Sequence, residues 1–145
     1  MYKRILVPTD GSEALGETLD EVIALARLTG ATVHTLYVVD TRHYNTLPPT
    51  DWDETELIET GKHTLAIVEK RVQDAAATID VQTAITRGVP HTEILDYTQD
   101  HDINLIVMRT HGRSGFNHFL KGSITEKVIR QTPVPILVIR IPDDA

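Results

Sequence analysis

The chain contains no cysteine. That excludes disulfides, thiolate catalysis and zinc or iron–sulfur centres held by cysteine. Its apolar runs stop after a handful of residues, far short of the roughly 20 that a membrane-spanning helix needs. The start, Met1-Tyr2-Lys3-Arg4-Ile5-Leu6-Val7-Pro8, is basic and then apolar as a secretory signal would be, but Pro8-Thr9-Asp10 ends the apolar stretch too soon. A cytoplasmic protein without membrane insertion is expected. There is no broad basic face: the formal net charge is −7, which disfavours nucleic acid as a partner. Walker A is absent, since Lys121 precedes Gly122 instead of following it. The Gly-x-Gly-x-x-Gly fingerprint is also missing, which argues against a nicotinamide cofactor. So is Gly-x-Ser-x-Gly, and hydrolase chemistry has no positive support. The seven histidines are scattered, and His111 with His118 makes no recognised metal spacing. There is no internal repeat and no low-complexity tract.

What is present suits one domain spanning 1–145: 145 residues, 41% of them apolar, are enough to bury a core. Residues 4–9 read as a strand buried on both faces. Asp10-Gly11-Ser12 reads as a capped turn, and Ser12-Glu13 opens a helix in which Leu15, Leu19, Val22, Ile23, Ala26 and Leu28 recur until Gly30 stops it. A second strand covers 32–39, with His34 on a sheet face or in the core. Pro48-Pro49 keeps 40–50 irregular. A long helix over 52–77 presents Leu57, Ile58, Leu65, Ile67, Val68 and Val72, and its acidic start is a solvated face at a favourable dipole end. A short strand at 81–86 is broken by Gly88-Val89-Pro90-His91, and a helix follows over 91–100. Residues 103–108 form another buried strand, 123–131 a helix and 136–141 a last strand. Strand and helix alternate throughout, so the expected fold is α/β: a doubly wound parallel five-stranded sheet, order 3-2-1-4-5, with helices on both faces.

Between the fourth strand and the last helix lies Arg109-Thr110-His111-Gly112-Arg113-Ser114-Gly115, read as a loop through residue 121, then Gly122-Ser123-Ile124-Thr125-Glu126-Lys127. Glycines let a backbone approach a ligand closely, and a helix start presents free N–H groups and a positive dipole end to an anion. From 109 to 130 five cations face one carboxylate, a local +4 inside a chain of −7. Turn and cap roles would explain such glycines in an arbitrary loop; the local charge and position favour an anion site. In a doubly wound sheet ligands bind beyond the C-terminal strand ends where strand order reverses, here between Pro8-Thr9-Asp10 and Met108-Arg109-Thr110-His111. Asp10 could accept from a ribose or hold a hydrated divalent ion; equally, it could cap the turn before Ser12. Ser123 and Thr125 can cap the helix and also donate to phosphate.

With these motifs the chain resembles the universal stress protein family from Lys3 to about Arg140. Ile5-Leu6-Val7-Pro8-Thr9-Asp10-Gly11-Ser12, Gly88-Val89-Pro90, the Thr110–Gly115 stretch, Gly122–Val128 and Pro133-Val134-Pro135-Ile136-Leu137-Val138-Ile139 carry the resemblance. It implies an adenine nucleotide alpha hydrolase-like fold. The ATP-binding branch of the family has glycine, two residues, glycine, nine residues, then glycine with serine or threonine. Gly112 and Gly122-Ser123 match that spacing, whereas Arg109 stands where the first glycine would be. The resemblance implies ATP or a related adenine nucleotide as ligand. Adenine would lie near Pro8, Thr9 and Val38, ribose near Asp10, and phosphates along Gly112, Gly122, Ser123 and Thr125. Met108, Arg109, His111, Arg113 and Ile124 complete the candidate set, and Mg would accompany the phosphates through a weak hold on Asp10. Arg109 either blocks the nucleotide or turns outward to add a phosphate contact.

Three classes of function follow. The leading one is a stress-response protein that binds ATP or a related nucleotide as a regulatory ligand. The second is a nucleotide-free protein-interaction module whose crevice Arg109 occludes. The last is an enzyme, limited to slow ATP hydrolysis or autophosphorylation, for which no general base stands out. The run 136–141 is apolar on both faces and would lie at a sheet edge, which invites pairing with another chain. The family resemblance implies a homodimer through this strand, antiparallel to its mate.

Overall fold

The computed structural model describes residues 2–10, 15–41, 54–111 and 122–141. Along the chain run β1 (Arg4–Thr9), α1 (Leu15–Thr29), β2 (Thr32–Asp40), α2 (Glu54–Ala75), β3 (Val81–Gly88), α3 (Pro90–Asp100), β4 (Leu105–His111), α4 (Gly122–Gln131) and β5 (Ile136–Ile141). The strands form one sheet in the order β3-β2-β1-β4-β5, and the paired strands are parallel. Element order, sheet order and fold class are those the sequence predicts.

Alternation along the strands divides the core in two. Ile5, Val7, Val33, Leu105 and Val107 face α1 and α2, against Leu19, Val22, Ile23, Ala26, Val68 and Val72. Leu6, Leu36, Val38, Ile106 and Met108 face the other way, against Ile94 and Tyr97 of α3 and Ile124 and Val128 of α4. Central strands flanked on both faces must be apolar at consecutive positions, which is why β1 is buried at every residue after Arg4.

Four expectations are corrected in detail. Leu28 and Ile67 do not join the core: they are 82% and 55% exposed. Leu28 lies two positions beyond the core residue Ala26 and Ile67 one before Val68, so at about 100° per residue helical geometry turns both away from the core face to solvent. β3 runs on to Gly88, which still pairs with Asp40. Gly88 has φ +152°, and a Cβ there would come within 2.7 Å of the Glu93 carboxylate, so glycine lets the strand end against the first turn of α3. Third, Ile103 and Asn104 precede β4: Ile103 is a core residue, and the Asn104 side-chain oxygen accepts from the backbone N–H groups of Lys3 and Arg4. Last, residues 109–111 are strand and not loop, because β5 pairs with β4 as far as His111. The expected helix opening at Ser12, the irregular stretch around Pro48-Pro49 and Trp52 lie outside the described residues.

Candidate functional site

The crevice at the switch point has a cause in the sequence. The carbonyl of Lys3 accepts from Thr32 of β2, while that of Arg4 accepts from the N–H of Asn104 on the β4 side. Strand alternation then turns the backbone groups of Leu6 and Pro8 toward β4 as well. Pro8 has no N–H to give. The pairing of β1 with β4 covers Ile5 with Leu105 and Leu6 with Ile106 only, whereas β1 stays paired with β2 through Thr9. The ladder thus ends where proline removes its next donor, at the point where strand order reverses.

A side-chain contact bridges the strands beyond that break. The Arg109 guanidinium lies 3.1 Å from the Asp10 carboxylate, with the two side chains 1% and 4% exposed. Arg109 does not turn outward. Its neighbours by alternation, Leu105 and Val107, face α1 and α2, and its register partner Ile139 packs on that same core. Its side chain therefore leaves the sheet on the α1/α2 face, opposite α4. Its carbonyl accepts a hydrogen bond from the Thr125 hydroxyl of α4 at 3.1 Å. Arg109 thereby ties together the end of β1, the end of β4 and the first turn of α4.

Tyr37 is a residue that sequence reasoning missed. It pairs in register with Thr9, and its ring rests on Gly61 of α2, where an added Cβ would come within 2.7 Å. Burial, with the negative charge of Asp10 as a smaller cause, raises its phenol pKa above the usual value. The available signal was its place at the end of a strand beside the switch point, which depends on a register that the sequence does not display.

The remaining candidates are distributed as follows. Pro8 and Thr9 are buried at the end of β1. Val38, Met108 and Ile124 are core residues of the α3/α4 side, 3%, 1% and 2% exposed. Gly122 opens α4, Ser123 is exposed next to it and Thr125 is buried. His111 ends β4. Gly112 and Arg113 lie outside the described residues. The structure thus brings together Asp10, Arg109 and Thr125, with Tyr37 close to Asp10. Among the described residues no group of three or more His, Asp or Glu side chains is placed to hold a metal ion, and no helix is long and apolar enough to cross a membrane.

Residues 1–140 match the model of the Universal stress protein family. Two universal stress proteins of Methanocaldococcus jannaschii are 34% and 31% identical to this chain, over 98% and 97% of it and 84% and 96% of their own lengths. The solved structure of the second superposes with a TM-score of 0.81, covering 97% of each chain at 32% identity. Two more distant solved structures share the fold: a universal stress protein in complex with cAMP (TM-score 0.68, 18% identity, 96% of this chain and 97% of that one) and one from Archaeoglobus fulgidus in complex with dAMP (0.72, 23%, 95% and 98%).

Proposed function

Because the chain belongs to the universal stress protein family, we propose that it binds ATP or a related adenine nucleotide as a regulatory ligand, acting in the cytoplasm in a stress response. The observation that carries this reading is the opening of the β1–β4 ladder after Leu6, taken with the glycine-bearing stretch 109–130, which starts within β4 in the sequence and carries a net charge of +4. A crevice with local positive charge at a switch point suits a compact anion with a flat apolar end. Adenine would sit over Pro8 and Thr9 with Val38, Met108 and Ile124 beneath. The phosphates would run along Gly112, Gly122, Ser123 and Thr125, flanked by His111 and Arg113. That relatives of the same fold are in complex with cAMP and dAMP supports the ligand class. Isothermal titration with ATP, AMP and a cyclic nucleotide tests it: saturable heat is expected, and silence for all three at millimolar ligand would refute it.

One observation favours a second reading, a nucleotide-free interaction module. Arg109 is fully buried and Asp10 is engaged with it, so the crevice could be closed by its own ion pair. Arg109→Gly separates the two. Binding that appears only in the variant supports the closed module, while equal affinity in both proteins discards it.

A further inference from the structure

We infer that Thr125 is a positioning residue of the nucleotide site: its hydroxyl holds the start of α4 against the end of β4 and does not itself donate to phosphate. The inference rests on the nucleotide-binding reading and concerns which groups of α4 meet the anion. Ile106 gives its N–H to the Pro135 carbonyl and so points its backbone at β5. Alternation then turns the backbone of Arg109, three residues on, toward β1. On that side the ladder has already stopped, since the last β1–β4 register pair is Leu6 with Ile106. A strand carbonyl at such a break needs a donor from another element, and the Thr125 hydroxyl supplies one at 3.1 Å, in a buried hydrogen bond. Thr125 itself is 2% exposed. A hydroxyl has one proton to give. With that proton on the Arg109 carbonyl, Thr125 presents only lone pairs, and phosphate oxygens are acceptors too. Its neighbours do different work. Ile124 and Val128 seat α4 on the core, but apolar contacts are non-directional and do not fix a helix along its own axis. The bond to a strand carbonyl does. The free N–H groups of the first turn are thereby held beside the opened ladder, and Ser123, two residues earlier and exposed, is the hydroxyl of that turn that a phosphate can reach.

The test pairs calorimetric titration with ATP and the carbonyl carbon-13 resonance of Arg109, which moves upfield when its oxygen loses a hydrogen bond. Thr125→Val puts a methyl in place of the hydroxyl and takes this donor from the Arg109 carbonyl. It is expected to shift that resonance upfield before any ligand is added and to weaken ATP binding about tenfold. Thr125→Ser keeps the hydroxyl and is expected to bind within about threefold of the parent. In the parent the Arg109 resonance is expected to hold its position as ATP saturates the protein. An upfield move there means that the hydroxyl has left for the phosphate, and it overturns the inference whether or not the valine variant folds. A folded valine variant that binds ATP as tightly as the parent also overturns it, as does a serine variant that binds tenfold more weakly than the parent. Each of these outcomes leaves the nucleotide reading standing, whereas no heat from ATP in the parent overturns the two together.

Discussion

His34 sits in β2 at 4% exposure, hydrogen-bonded through Nδ1 to the Tyr97 hydroxyl at 2.8 Å. Tyr97 in turn stacks on His101 with ring centroids 3.8 Å apart. Burial lowers the His34 pKa below 6.5, the nearby charges of His101 and Arg4 lower it further, and Asp80 opposes them. A base whose folded pKa is depressed takes up its proton more readily when unfolded. Its contribution to stability is therefore complete above about pH 6.5 and is lost as the pH falls toward the folded pKa. Urea unfolding is expected to show stability declining on acidification with a slope of up to about 1.4 kcal/mol per pH unit from this one group. His34→Gln should flatten that slope, and an unchanged slope would acquit His34. The sequence located His34 in the sheet and marked Arg109 as the odd residue of its motif. It did not disclose where Arg109 points. That direction follows from alternation only once residues 109–111 are known to be strand, and they are strand because β5 reaches them, a tertiary fact.

The two edge strands differ in character. β3 exposes Gln82, Thr83 and Arg87, a polar edge that discourages pairing. β5 exposes Leu137 and Val138, each more than a third accessible. The Pro135 carbonyl accepts from Ile106 of β4, so alternation points the backbone of Leu137 at β4 and that of Val138 at the open edge. We propose that two copies pair antiparallel along this edge to form a homodimer. Val138→Pro removes an outward N–H without breaking the β4–β5 ladder. Light scattering at tens of micromolar is expected to find a dimer for the parent and a monomer for the variant. A monomeric parent, or a variant that remains dimeric, would end the edge-strand model. Most elements were legible because apolar runs and helical spacing are local signals. The strand ends at Gly88 and His111 were not, because pairing with a neighbour and not local propensity carries them on.

Across the whole molecule, one proline and one arginine shape the place where the strand order reverses. Pro8 ends the ladder between β1 and β4, and beyond that break Arg109 reaches Asp10 in an ion pair from the face opposite α4. The sheet order could be read from buried strands alternating with amphipathic helices, and the position of the crevice follows from that order. The pairing of Arg109 with Asp10 and the closeness of Tyr37 depend on register, which no local pattern encodes. Amide chemical-shift mapping on addition of ATP probes the proposed site most directly. The account predicts a continuous set of shifted amides in residues 9–10, 108–113 and 122–125, with β3 and the outer face of α2 unchanged. Shifts confined to β5 or α3, or none at saturating nucleotide, would contradict it.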